Sequence, residues 1–200
     1  MSDGLVFSGT SNFVVPQFYE YLLVVHPDKD IFEQLRSEKE VFSATYNAGI
    51  ARKTLPHITI ANFLARENME PTLINWLYKI IGGQKTFQVM LNNYSGFPSS
   101  KTVYARVQDH EPFRQLAASL KIIDQYVRDN GCPRAIIPSY PHLSIARSLQ
   151  PTVYEKAIFD YSRKTFNASF MVDELILLKR QNKYDKCKQL SIFKLGAALN

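Results

Sequence analysis

The chain has 200 residues, 46% hydrophobic and 21% charged, a composition that suits one soluble globular domain or two tightly packed lobes. Two cysteines, Cys132 and Cys187, are too few and too far apart for a disulfide framework or a zinc knuckle. A net charge of +6 and a pI near 9.2 favour an anionic partner, yet the basic residues fall in small clusters rather than the dense stripe of a dedicated nucleic-acid module.

Residues 1–16 read as an N-terminal tail without the basic and apolar segments of a signal peptide. Phe18 to His26 is a first strand, and its Leu22-Leu23-Val24-Val25 run is far short of a membrane span. The expectation is a soluble, cytoplasmic monomer that does not engage membranes. Asp28 and Asp30 are candidate N-caps for a helix whose stripe is Ile31, Phe32, Leu35 and Phe42. A strand from about Leu55 to Phe63 follows, then a helix with Pro71 near its start and Gly82-Gly83 as its stop. Strands over Phe87–Asn92 and Thr102–Val107 flank a turn-rich stretch, Asn93 to Lys101. A third helix carries Phe113, Leu116, Leu120, Ile123 and Val127 on one face and ends at Asn130-Gly131. Ser139 to Ala146 is again a strand; a helix after Pro151 and strands near Ser169–Val172, Leu175–Leu178 and Lys188–Lys194 complete the chain. Hairpin-length connections make the class α+β, with no linker dividing residues 1–200.

Two of these strands carry the same unusual segment. One reads Pro56-His57-Ile58-Thr59-Ile60, the other Pro141-His142-Leu143-Ser144-Ile145, and 85 residues separate the histidines. Side chains at i and i+2 of a strand share a face. His57 therefore points with Thr59 and His142 with Ser144, while Ile58, Ile60, Leu143 and Ile145 turn into a core. Two imidazoles and two hydroxyls suit acid–base chemistry on a phosphate ester, and the repeat suggests two similar lobes facing one another across a cleft. No carboxylate or cysteine accompanies either histidine at ligand spacing, so the reading involves no metal and no cofactor.

Other residues read more plainly. His26 closes the first strand, His110 sits in a first helical turn beside Asp109 and Glu111, and Trp76 belongs to a core face. Arg52-Lys53 is an exposed basic turn. Among Phe97, Tyr104 and Tyr140, which could each stack on a base, Tyr104 is the preferred substrate contact.

The double motif resembles the two-histidine (2H) phosphoesterase superfamily, and most nearly its 2'-5' RNA ligase and cyclic phosphodiesterase branch. The family signature is two copies of His-apolar-Thr/Ser-apolar, matched here by His57-Ile58-Thr59-Ile60 and His142-Leu143-Ser144-Ile145. Phe97-Pro98 before Thr102-Val103-Tyr104, and Val172 to Leu178 followed by Lys183-Tyr184 and a last strand, resemble the family's inner strand pair and closing hairpin. Arg147 stands five residues after His142, where many family members place a phosphate-contacting arginine; the matching position after His57 is Asn62.

The resemblance implies a single bilobal domain of two antiparallel sheets related by a pseudo-twofold axis, with outer helices and a central cleft. It also implies metal-independent cleavage of 2',3'-cyclic phosphates or handling of 2'-5' linkages, in RNA or nucleotides. His57 and His142 would be the acid and base, in an order the sequence leaves open, and Thr59, Ser144 and Arg147 would hold the phosphate. The alternatives are a protein that binds RNA ends or nucleotides without turnover, and a phosphoesterase of a small non-RNA cyclic phosphate.

Overall fold

A computed structural model describes residues 17–182 and 185–196. The expected tail over 1–16 and the Lys183-Tyr184 pair lie outside the described residues. The described residues form eight strands: β1 (Phe18–Val25), β2 (Ile58–Arg66), β3 (Phe87–Phe97), β4 (Thr102–Val107), β5 (His142–Ala146), β6 (Asn167–Val172), β7 (Glu174–Arg180) and β8 (Lys188–Lys194). The α-helices are α1 (Lys29–Tyr46), α2 (Glu70–Gly82), α3 (Glu111–Ser119), α4 (Lys121–Asp129) and α5 (Pro151–Tyr161). No helix among the described residues is long and apolar enough to cross a membrane.

The strands form one antiparallel sheet in the order β6-β3-β4-β5-β2-β1-β7-β8. Outward from the centre, each half runs through a motif strand and then the strand preceding it in sequence. The α+β class stands, but the two expected sheets are hydrogen-bonded into one. The motif strands β2 and β5 lie side by side at its centre, joined through the single register pair Ile58–Leu143.

Local chemistry explains the boundaries. Asp28, not Asp30, caps α1: its Oδ1 accepts from the Ile31 amide at 3.0 Å. Asn47 ends the helix in the left-handed region, at φ 49°. The stretch over Asn93–Phe97, expected to be turn, continues β3; Asn93 sits at φ 58° where the register against β4 slips, and its Oδ1 accepts from the Phe166 amide. Its αL conformation absorbs the extra residue, so the asparagine that signals a turn here marks a bulge. Gly96 faces α5 so closely that a Cβ would lie 2.5 Å from the Tyr154 hydroxyl and 2.8 Å from Ile158 Cδ1. The stripe from Phe113 to Val127 is not one helix but two, α3 and α4, broken at Leu120.

Both motif strands carry a bulge at the same place. Leu23 pairs with Ala61 and Val24 with Thr59, which leaves Ile60 extra; Val103 pairs with Ala146 and Tyr104 with Ser144, which leaves Ile145 extra. A bulge shifts the side-chain phase by one. Ile60 and Ala61 are therefore both buried, as are Ile145 and Ala146. Without that shift, the fifth residue after each histidine would point away from it.

Candidate active site

The geometry of both histidines begins with the prolines before them. Each motif strand starts after a buried proline whose ring fixes φ and holds the preceding residue extended. The carbonyl of that preceding residue meets the imidazole: His57 Nδ1 lies 2.7 Å from Leu55 O, and His142 Nδ1 lies 2.9 Å from Tyr140 O. A carbonyl only accepts, so Nδ1 is the protonated nitrogen in both rings. Nε2 is then the nitrogen left for chemistry, in two copies of one clamp.

His57, Thr59, His142, Ser144 and Arg147 line one cavity of about 190 Å³. Ile58, Ile60, Leu143 and Ile145 are at most 4% exposed, on the core side. Continuing the Ile58–Leu143 register one residue each way sets His57 beside Ser144 and Thr59 beside His142. The imidazoles occupy one diagonal and the hydroxyls the other. Diagonal neighbours across a strand pair are about 7–8 Å apart, a span that straddles a phosphoryl group.

The environments of the two rings differ. Burial pushes His57 down to about 4, only partly offset by the Leu55 carbonyl, and the positive charges of Lys39 and Arg147 act in the same direction as burial. His142 is also lowered from 6.5 by burial, with the Tyr140 carbonyl opposing. Phe97 stands edge-on to His142 at 4.9 Å, whereas His26 lies 6.5 Å from His57. His57 is the more strongly biased toward the neutral form.

Tyr104 does not line the cavity. It is 3% exposed, stacked beneath Phe97 at 4.3 Å, so Phe97 presents the aromatic face and Tyr104 backs it. Asn62 is drawn aside to Glu20, which accepts from its Nδ2 at 2.7 Å. Arg52 stays on the surface, 3.8 Å from Glu40. His110 bonds the Val107 carbonyl through Nε2 and packs edge-on to Tyr140.

Three lining residues were not expected, Thr54, Ser100 and Thr102, and Phe97 rather than the preferred Tyr104 is the aromatic that lines the cavity. Ser100 sits in the turn before β4 and Thr102 is the first residue of that strand, in a stretch rich in small polar residues where hydroxyls carry no distinguishing pattern. Lys39, also unexpected, does not line the cavity but is 2% exposed behind it, bonded to the Ser144 and Ile145 carbonyls. It had a legible signal, since it stands four residues after Leu35 and three before Phe42, a charge inside the apolar stripe of α1. A larger cavity, about 700 Å³, opens at the other end of β1 and β7, but its Lys179 is paired with Glu67 and Glu70 and no imidazole lines it. Among the described residues, no three His, Cys, Asp or Glu side chains are grouped to hold a metal ion.

Comparison with known proteins agrees with this architecture. The family described as the 2'-5' RNA ligase superfamily matches residues 25–183. The OB1230 protein of Oceanobacillus iheyensis, whose name assigns it provisionally to the phosphoesterases, is 26% identical over 162 residues, 80% of this chain and 88% of its own. The crystal structure of Escherichia coli LigT complexed with 3'-AMP superposes with a TM-score of 0.62 at 19% identity, over 90% of this chain and 99% of that one. TT0787 of Thermus thermophilus gives 0.65 at 14% identity, over 89% and 98%.

Proposed function

Because the chain belongs to the 2'-5' RNA ligase superfamily of 2H phosphoesterases, we propose that it is a metal-independent phosphoesterase that opens 2',3'-cyclic phosphates at the ends of RNA or on nucleotides. The observation that carries this reading is the pair of matched imidazoles on one diagonal of a small polar cavity, each with Nδ1 tied to a carbonyl.

In-line opening of a cyclic phosphate needs a base on the attacking water and an acid on the departing ribose oxygen, on opposite sides of phosphorus. Histidine serves both roles near neutral pH. His57, held neutral by burial, is the base: its Nε2 takes a proton from water as the oxygen bonds to phosphorus. His142 is the acid: its Nε2–H passes a proton to the 2' or 3' oxygen as the P–O bond breaks. The product is a phosphomonoester, and proton exchange with solvent resets the pair. Thr59 and Ser144 donate to the non-bridging oxygens, and Arg147 balances the charge that grows there in the transition state.

A cavity of about 190 Å³ suits a phosphoryl group with its sugar, leaving a base to lie against Phe97 and the partly exposed Tyr140. E. coli LigT, a relative in fold, has been crystallised with 3'-AMP, a ligand of the class proposed here. Turnover of 2',3'-cyclic nucleotides, cyclic-phosphate-ended RNA and 2'-5'-linked dinucleotides in EDTA tests the reading, with a His142→Ala control. Binding to these compounds without turnover would favour a protein that only recognises RNA ends.

A further inference from the structure

Among the described residues, Lys39 is the one buried charged side chain, and this mechanism does not use it. Its ammonium enters from α1 and donates to Ser144 O at 2.9 Å, Ile145 O at 3.0 Å and Thr54 Oγ1 at 3.3 Å. Three donors meet three neutral acceptors. The other strongly held lysines, Lys164, Lys179 and Lys194, are ion-paired with carboxylates, and none of the ion pairs among the described residues includes Lys39.

An uncompensated buried cation is costly, and an apolar side chain of similar shape is often at least as stable. Packing alone therefore does not account for a lysine here. Its surroundings do. Thr54 and Ser144 both line the phosphoryl cavity, and the Ile145 carbonyl belongs to the bulge residue that sets the direction of β5. Because Thr54 Oγ1 accepts from Lys39, the hydroxyl's own proton is left to be donated to another group, and Thr54 lines the cavity. Lys39 thus bonds one hydroxyl of the cavity wall and ties down the backbone that carries Ser144.

We propose that Lys39 is the positioning residue of the phosphoryl site: it orients Thr54 as a third hydroxyl donor, fixes Ser144, and places a positive charge beneath the bound anion. The proposal deepens the phosphoesterase reading and rests on it for the identity of the anion. Burial and the nearby Arg147 guanidinium push the Lys39 ammonium down to about 8, so it is mostly charged at neutral pH, and an anion in the cavity that Arg147 lines would offset the repulsion between the two cations. Lys39 has no donor left for substrate. It acts through Thr54, through Ser144 and through its field.

The test compares Lys39→Met, Lys39→Gln and Thr54→Val with wild type. Inorganic phosphate is the probe, followed through the imidazole NMR resonances of His57 and His142, and a 2',3'-cyclic nucleotide is the substrate. Lys39→Met is expected to weaken phosphate binding by about tenfold or more, and to lower kcat more than it raises KM, because charge on the phosphoryl oxygens grows in the transition state. Its melting temperature should equal or exceed that of wild type, a combination that a purely structural lysine would not produce. Lys39→Gln, which keeps donors without charge, should fall between the two. Thr54→Val should lose part of the phosphate affinity.

Lys39→Met that folds and binds phosphate within twofold of wild type overturns the proposal, and so does wild type that binds no phosphate. Should Lys39→Met fail to fold, Lys39→Gln and Thr54→Val decide: wild-type affinity in both is refuting. Phosphate binding that needs Lys39, in a protein with no turnover on any substrate, would sink the phosphoesterase reading and leave this one standing.

Discussion

Ile58 of the first motif and Leu143 of the second are register partners, the only strand-to-strand pair joining β2 to β5 among the described residues. Both point into the core, so the residues on either side of them share the opposite face. One apolar contact thereby aligns two histidines and two hydroxyls that lie 85 residues apart in the chain. If these groups divide the work as proposed, replacing them should have unequal consequences.

His57→Ala and His142→Ala each remove a proton-transfer group, typically worth about 10²–10⁴-fold. Steady-state kinetics on a 2',3'-cyclic nucleotide should show that loss mainly in kcat. Thr59→Ala or Ser144→Ala removes one hydrogen bond to a charged group, worth about 1.5–3 kcal/mol, which corresponds to about 10- to 150-fold. A hydroxyl variant as damaged as the histidine variants would contradict this division.

Rate should depend on pH as the two environments dictate. The base limb falls as His57 protonates near 4, and the acid limb falls above the pKa of His142, which burial places below 6.5. The kcat/KM profile, which reports the free enzyme, should peak between pH 4 and 6.5. A maximum above pH 7.5 would reject the assignment.

The same burial has a thermodynamic signature. The folded pKa of His57 is depressed below its unfolded 6.5, so the unfolded chain binds more protons between pH 4 and 6.5. Stability is retained above 6.5 and lost as pH falls through that window. The melting temperature of wild type should therefore drop more between pH 6.5 and 4 than that of His57→Gln. Parallel curves for the two proteins would mean that His57 titrates normally.

Nitrogen NMR can read the clamp itself. In the free protein at pH 7.5, His57 and His142 should both show the tautomer with hydrogen on Nδ1, because their partners are the carbonyls of Leu55 and Tyr140. Hydrogen on Nε2 in either ring would break the symmetry on which the site is argued.

Packing at the bend of β3 offers a prediction independent of catalysis. Gly96→Ala drives a methyl against Tyr154 and Ile158 and should cost about 1–3 kcal/mol. Roughly 2–4 °C of melting temperature should be lost per kcal/mol in a chain of this length. An unchanged melting temperature would show that α5 gives way freely.

The candidate site was legible where its residues are local and paired in type. His57 with Thr59, and His142 with Ser144, follow from alternation along a strand, and the prolines before them were visible although their use as a clamp was not. What escaped the sequence depends on long-range register. The bulges at Ile60 and Ile145 keep apolar residues apolar and leave no mark, yet they decide which face the fifth position after each histidine occupies. Tyr104 and Phe97 are both aromatic, and only the stacking order puts Phe97 at the cavity. In the same way, Asn93 and Gly96 signal a turn, while their partners Phe166 and Tyr154 make them a bulge and a close approach within a strand. The joining of both halves into one sheet hangs on a single pair, beyond the reach of any local pattern.

The proposed mechanism needs the two imidazoles and no metal. Turnover of 2',3'-cyclic nucleotides, cyclic-phosphate-ended RNA and 2'-5'-linked dinucleotides by wild type, His57→Ala and His142→Ala, all in excess EDTA, tests it most directly. Wild type should convert at least one of these to a product with a free phosphomonoester or hydroxyl end, and each alanine variant, still folded, should lose nearly all of that rate. Wild type that is inert in EDTA and restored by zinc, or a histidine variant that retains full activity, would contradict it.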